Sequence, residues 1–368
     1  MDVSPVVPFA SYAAASILSI AALGLRKKAR ILALVVIWVL SLVSLCTAHA
    51  LYWPTGANST FASLIVLYLP YTTKLLALEE HAVNPELSSH DWSFVDYYRT
   101  WNNPRGLPLR LSVLDRTKAP SMRTRLGFSL RQAIKAAILV GFDTLVFQKI
   151  LLWASGGVML HDFSPEMEWQ VLHWSRHQLR LRAMVSIQWI WSAYYFLDFS
   201  NCVLAIVAVT AGLDRPDEWP PLFGSLLDVT SVRSFWARFW HRLAIPTYSS
   251  YALLLSRGWL GQKPGSRAEK TLVPLFIFIC SGLSHALVGW ALGDAALSRD
   301  ILFFLLNYLA IMVEVVLSKA EIARSRKRGT KASDTLWNIA GFAWVCVFFF
   351  CVSPLWLYPK IYHGILHA

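Results

Sequence analysis

TLVPLFIFICSGLSHALVGW, residues 271–290, runs for twenty residues without an Asp, Glu, Lys or Arg. That is the length a helix needs to cross a hydrocarbon core of about 30 Å. Seven further apolar runs, at about 8–25, 31–53, 60–78, 134–158, 184–210, 300–318 and 336–358, bring the predicted spans to eight. A shorter apolar piece, about 247–260, is too short to span and predicts an interfacial or re-entrant helix. The expected fold is an all-α integral membrane protein of about eight transmembrane helices plus interfacial or re-entrant helices, in one polytopic domain over 1–368.

Composition points the same way. The chain of 368 residues is 56% hydrophobic and 15% charged, with a mean hydropathy of +0.46; a soluble domain sits nearer half apolar and a quarter charged. Seventeen Trp and thirteen Tyr suit the two bilayer interfaces. A net charge of +12 could suit nucleic acid, but the basic residues fall in the gaps between apolar runs. The bilayer, not nucleic acid, is the expected partner. The five cysteines, Cys46, Cys202, Cys280, Cys346 and Cys351, lie in apolar segments and read as small buried hydrophobes, with no zinc spacing or disulfide framework. Asp2 and the absence of a basic n-region make the first run a retained helix.

The loops set the orientation. Arg26-Lys27-Lys28-Ala29-Arg30, the 79–133 loop with Arg99, Arg105, Arg110, Arg116, Lys118, Arg123, Arg125 and Arg131, and the 319–335 loop with Arg324-Ser-Arg-Lys-Arg328 all count to the cytosolic side. The sequon Asn58-Ser59-Thr60 then falls on the luminal side as a candidate glycosylation acceptor, close to a helix. One loop disagrees: 161–182 counts as luminal yet holds Arg176, Arg180 and Arg182. Either a span is miscounted there or the segment lies flat with its arginines at headgroup level.

His285 is the residue that needs explaining. An ionisable group inside a span faces a cavity or a partner, and marks either function or a packing hydrogen bond. Ser281, Gly282, Ser284 and Gly289 around it let a helix or substrate come close. The second notable stretch is SVRSFWARFWHR, residues 231–242. Read as a helix, it sets Ser234, Arg238 and His241 on one face, with Trp236 and Trp240 a turn apart on the next. Such a segment predicts a surface helix with aromatics towards the acyl region and arginines towards phosphates; an amphipathic anchor without chemistry has the same pattern.

The run Ser231-x-Arg-x-Phe-Trp-x-Arg-x-Trp-His241, followed by Ser281-Gly-Leu-x-His285, resembles the wax synthase-like branch of the membrane-bound O-acyltransferases. That branch includes fungal acetyltransferases of terpenoids and other secondary metabolites. The resemblance covers about 95–290 and takes in Asn102-Asn103-Pro104-Arg105-Gly106, similar to an upstream Asn-x-Arg-Gly segment. This chain departs from the usual pattern at Ser234 (Asp), Ala237 (Gly), Phe239 (Arg) and Ala286 (an acid), and lacks a Gly-x-Gly-x-x-Trp after Gly106.

The resemblance implies acyl transfer from acyl-CoA, most simply acetyl-CoA, to the hydroxyl of a lipophilic small molecule, at the endoplasmic reticulum. Such a transfer needs a base near neutrality, which histidine supplies, and a donor for the developing oxyanion. His285 is the expected base and His241 the second polar group. Arg238, Arg242 and Arg105, with Trp236 and Trp240, are the expected contacts of coenzyme A. The alcohol would come through the bilayer, and no metal is expected.

Other polar groups in the spans are Glu314 and Asn307, seven apart and so on one face, Asp198 with Asn201, Asp143 with Gln148, and Lys74 near a helix end. Glu314 and Asn307 fit a cavity or an interhelical hydrogen bond equally. His173 and His177 are a turn apart, near His161, without a third metal ligand. Gly156-Gly157 reads as a helix terminator. A prenyltransferase or terpene cyclase would need paired aspartates for Mg²⁺, and Asp115 and Asp228 are isolated. A proton-coupled transporter would use intramembrane His, Glu and Asp, usually in two related halves; the 247–260 piece has no counterpart in the first half.

Overall fold

The computed structural model describes residues 3–51, 56–79, 93–107, 120–170, 174–328 and 334–366, and no strand occurs among them. Its main helices are α1 (Val6–Ala22), α2 (Lys27–Cys46), α3 (Ala57–Thr73, continuing as a π-helical turn over Lys74–Leu78), α4 (Phe94–Trp101), α5 (Met122–Ser155, with a π-helical turn at Asp143–Phe147), α6 (Pro165–Trp169), α7 (Arg176–Thr210), α8 (Val232–Ser234, then a π-helical turn at Phe235–Phe239), α9 (Ile245–Leu253, then Leu254–Trp259), α10 (Arg267–Ala291), α11 (Leu297–Arg328) and α12 (Asp334–Leu366). Seven of these, α2, α3, α5, α7, α10, α11 and α12, are long and apolar enough to cross a membrane, and α1 is a shorter apolar helix. They coincide with the eight apolar runs. The chain is an all-α, multi-pass integral membrane protein.

Helix length accounts for the discordant arginines. At about 1.5 Å per residue a 35-residue helix is longer than the roughly 30 Å core, and α7 is that long. Arg176, Arg180 and Arg182 occupy its first two turns. Arg176 and Arg180 are exposed. Arg182 is instead buried within the protein, 2% exposed. Its guanidinium donates to the carbonyls of Met167 and Glu168 and lies over the rings of Trp174 and Tyr358. Delocalised charge and a planar shape make arginine suited to that mixture of carbonyls and aromatic faces.

α10 and α11 form the most extensive helix pair in the molecule. They meet at Gly282, where a Cβ would lie 2.9 Å from the Cα of Ile301. Only a glycine lets the two backbones come that close. α11 also carries a polar stripe at steps of seven, which keeps Asp300, Asn307 and Glu314 on one face. Each accepts an indole N–H at 2.8 Å: Asp300 from Trp356, Asn307 from Trp236 and Glu314 from Trp344. A polar group left unpaired in hydrocarbon costs several kcal/mol, so these bonds fix α12 and α8 against α11.

The 231–240 segment differs from its expected form. It does not lie on the surface but is threaded into the bundle, antiparallel to α11. Glu314 accepts the backbone N–H of Val232 at 2.7 Å and of Arg233 at 3.0 Å, and Asn307 holds Trp236 one turn further in. Phe235, Phe239 and Trp240 are buried in the largest apolar cluster, with Phe303, Phe304, Phe349 and Trp356. The expected shared face of Ser234, Arg238 and His241 is also overturned. Trp240 N–H bonds the carbonyl of Phe235, five residues back, and Trp240 itself is extended. The wider turn shifts the register, Ser234 is buried while Arg238 is exposed, and His241 lies beyond the helix.

Smaller expectations resolve by contacts. Lys74 is paired with Glu79 at 3.0 Å, and Asp198 with Lys135 at 2.6 Å. Asp143 accepts from Trp191 at 2.8 Å and from Gln148 at 3.3 Å. Gly156 and Gly157, both at positive φ, end α5. Cys202 is buried, but Cys46 and Cys346 face outward rather than inward; all five thiols are free. Asn58 sits in the first turn of α3, its Oδ1 accepting from the N–H of Ser59. Arg110, Asp115, Arg116, Lys118 and His173 lie outside the described residues.

Candidate active site

His241 is positioned by what precedes it. Ser234 Oγ accepts the backbone N–H of Thr230 at 2.8 Å and of Ser231 at 2.9 Å, while Ser231 Oγ accepts that of Ser234. This reciprocal cap closes the start of α8. A serine oxygen is enough for that task, so the departure at 234 leaves the local fold intact. Gly224 N–H bonds the carbonyl of Phe239 at 2.8 Å, and a Cβ on Gly224 would fall 2.1 Å from the carbonyl oxygen of Arg238. The 220–225 loop is thereby pressed against the segment from which His241 projects.

The His241 ring packs edge-on to Phe223, with centroids 5.7 Å apart, and against Trp240 at 5.5 Å. Its Nδ1 is buried and has no hydrogen-bond partner among the described residues. Burial, then the nearby charges of His285 and Arg105, push its pKa down to about 3. The imidazole is therefore neutral at physiological pH. Buried polar atoms are rarely left unpaired, and one at a histidine in such a place marks a ligand contact or a strained site.

His285 comes from the membrane-crossing helix α10. It is 18 residues beyond Arg267, about 27 Å along α10. Its ring stacks on Phe304 with centroids 5.0 Å apart and meets Trp356 edge-on at 6.0 Å. It lies deep among protein atoms and within electrostatic reach of His241, yet it retains exposed surface. Ser284 beside it hydrogen-bonds Tyr248 of α9, and Tyr251 of α9 donates to the carbonyl of Pro70 in α3 at 2.7 Å. The 247–260 piece is thus a helix wedged between α10 and α3.

The other expected contacts divide. Arg238 and Arg242 are exposed. Arg105 donates to the carbonyls of Pro220 and Pro221, both at 2.9 Å, and burial together with the charge of Arg242 lowers its pKa. Two guanidiniums so placed attract a shared anion, although Arg105 also acts as a strut for the 220–225 loop. Trp236 and Trp240 are instead part of the aromatic wall: Trp236 is tied to Asn307 and ringed by Phe278 and Phe304, and Trp240 is 7% exposed. In the Asn102–Gly106 stretch, Asn103 closes a turn through both amide atoms onto Leu107, and Gly106, at φ 63, lies against Pro246 at the start of α9.

Three neighbours of the site were not among the expected residues: Phe304, Trp356 and Asp300. Asp300 is 1% exposed and is also paired with Lys360 at 2.9 Å. Its signal was available, since it continues the seven-residue step of Asn307 and Glu314. No group of three His, Cys, Asp or Glu side chains that could hold a metal occurs among the described residues; His177 is paired with Asp162 at 3.0 Å.

Residues 219–306, which contain both histidines, match the membrane bound O-acyl transferase family. The chain also resembles several fungal acetyltransferases. It is 30% identical over 198 residues to acetyltransferase spyB of Aspergillus fumigatus, covering 50% of this chain and 33% of that protein. It is 34% identical over 191 residues to acetyltransferase aurG of Calcarisporium arbuscula, covering 51% and 45%. It is 28% identical over 273 residues to acetyltransferase cdmC of Talaromyces verruculosus, covering 70% and 64%. The aligned stretches span between a third and about two thirds of these relatives' lengths.

Proposed function

We propose that the protein is a membrane-bound O-acyltransferase, acting as one polytopic unit, that moves an acetyl group from acetyl-CoA to the hydroxyl of a lipophilic small molecule such as a terpenoid. The observation that supports this reading is a pair of imidazoles within electrostatic reach of each other, one neutral and with an unpaired nitrogen, the other set between aromatic rings on a membrane-crossing helix. The relatives' names and the family match support it; the alternatives of prenyl transfer, cyclisation and transport draw no comparable support.

In this reading His285 takes the proton of the acceptor hydroxyl as the oxygen attacks the thioester carbonyl. His241 donates a hydrogen bond to the oxygen that becomes negative. As the intermediate collapses the carbon–sulfur bond breaks, the ester forms, and the proton passes from His285 to the departing thiolate. The aromatic wall of Phe223, Trp240, Phe304 and Trp356 keeps water out, which limits hydrolysis of the thioester. Arg242, Arg238 and Arg105 receive the phosphates of coenzyme A from the cytosolic side, and the acceptor enters from the bilayer. The endoplasmic reticulum is the proposed location.

The test is mass spectrometry of microsomes expressing the chain, given acetyl-CoA and a panel of hydroxylated terpenoids. Products heavier by one acetyl group, formed only with both substrates and without added metal, support the reading. Solute accumulation without chemical change, or a product that appears only with a prenyl diphosphate and Mg²⁺, would replace it.

A further inference from the structure

Beside His285 lies a charged cluster that the mechanism above does not use. α10 presents Gly282 and His285, one turn apart, to α11. Facing them, also one turn apart, are Asp300 and Phe304. A Cβ on Gly282 would lie 3.4 Å from the carbonyl oxygen of Asp300, and Phe304 stacks on the imidazole. Trp356 completes the arrangement: its ring meets His285 edge-on, and its Nε1 donates to Asp300 Oδ1 at 2.8 Å. The other carboxylate oxygen receives Lys360 at 2.9 Å. Lys360 also bonds Asp294, whose remaining oxygen caps the N–H of Ala296. Two carboxylates and one ammonium leave the cluster with net negative charge.

We infer that Asp300 is a positioning residue for the base: held by Trp356 and Lys360 against the face of α11 that carries Phe304, its carboxylate fixes the histidine's aromatic cage and stands beside it as a fixed counter-charge. This rests on the reading of His285 as the base.

A buried carboxylate could serve architecture alone, as Asp143 does with Trp191. What distinguishes Asp300 is its place among the groups around the imidazole. These are Asp300 from α11, Lys360 from α12 with Asp294 behind it, His241 from the segment after α8, and Tyr248 of α9 through Ser284. Asp300 and Lys360, opposite in charge, bond each other beside the Trp356 ring that meets His285 edge-on. A base gains a full charge when it takes the hydroxyl proton, so a fixed counter-charge acts mainly on the charged form. Lys360 limits the effect and keeps the base from being too easily protonated at rest.

The two charges therefore give a signed test that needs no knowledge of the acceptor. Diethyl pyrocarbonate modifies neutral imidazole, and peptide mass spectrometry reads the rate at His285 alone. In membranes carrying the full chain, the rate is followed against pH for wild type, Asp300→Asn and Lys360→Met. The expected result is a midpoint about one pH unit lower in Asp300→Asn and higher in Lys360→Met. A purely structural role would loosen the site in both variants and move both midpoints the same way. Asp300→Glu should return most of the wild-type profile; if it does not fold, Lys360→Met alone still tests the sign. Identical midpoints, a common direction, or a wild-type ring that never reacts would overturn the inference. The acylation reading is separate: a His285→Ala chain that still makes product would sink that reading while leaving the shifts in place.

Discussion

Asn307 accepts the indole N–H of Trp236 at 2.8 Å, and through that bond a fully buried amide on a membrane-crossing helix holds the segment that delivers His241. With Glu314 one end further along, it turns a stretch that reads as a surface anchor into an inserted one. The catalytic reading depends on that insertion, because it sets where His241 stands in the bundle.

The Glu314 anchor has a measurable consequence. Glu314→Ala leaves the N–H groups of Val232 and Arg233 and the indole of Trp344 without their acceptor. Losing buried acceptors of this kind costs on the order of 1–3 kcal/mol. The variant should melt earlier in detergent and lose most acetyl transfer, although Glu314 is remote from the reacting atoms. Glu314→Gln, which keeps one oxygen, should fall between. Wild-type melting and activity in the alanine variant would show that the cap is dispensable.

Two glycines offer an internal contrast. In Gly224→Ala the new methyl meets the Arg238 carbonyl at 2.1 Å, and backbone must shift to admit it. Overpacking of this sort costs about 1–3 kcal/mol or more, and activity should fall because the His241 segment is displaced. Gly127, in α5, has nothing within 4 Å of its Cβ position, so Gly127→Ala should be neutral or slightly stabilising. Melting temperatures of the two variants read the difference directly; a harmless Gly224→Ala would contradict the close approach.

His241 also makes stability depend on pH. Its folded pKa, about 3, lies below the ordinary value of 6.5. Between those values the unfolded chain binds a proton that the folded chain refuses, so the contribution is favourable above pH 6.5 and is lost as pH falls towards 3. His241→Gln removes the proton uptake. The variant's melting temperature should decline less steeply than wild type's between pH 6.5 and 4.5. Parallel curves would mean that His241 is solvated or already protonated.

The seven-residue step on α11 shows how far a sequence goes here. Hydropathy marks which segments cross a membrane, because lipid selects residues one by one, and all eight helices were legible in that way. Spacing on one helix was legible too: Asn307 and Glu314 do share a face, and Asp300 extends it. What spacing omits is the partner across the gap. Whether Glu314 lines a cavity or caps a helix depends on the register between α11 and the 231–240 segment, which no local pattern encodes. The π-helical turn at Phe235–Phe239 was missed for a related reason. Its widened backbone is stabilised by tertiary packing, so a helical wheel drawn at 3.6 residues per turn puts Ser234 and Arg238 together when one is buried and the other exposed.

Resemblance to known proteins named the two histidines, and physical reading alone would have left each with a bland alternative. The bundle adds an aromatic setting for each: Phe223 and Trp240 around one ring, Phe304 and Trp356 around the other.

Transfer of labelled acetyl from acetyl-CoA to an accepted hydroxylated substrate, compared between microsomes holding equal amounts of wild type and His285→Ala, tests the central claim most directly. The account predicts a fall of about 10²-fold or more, with unchanged abundance and melting. Product formation at the wild-type rate in the variant would contradict it.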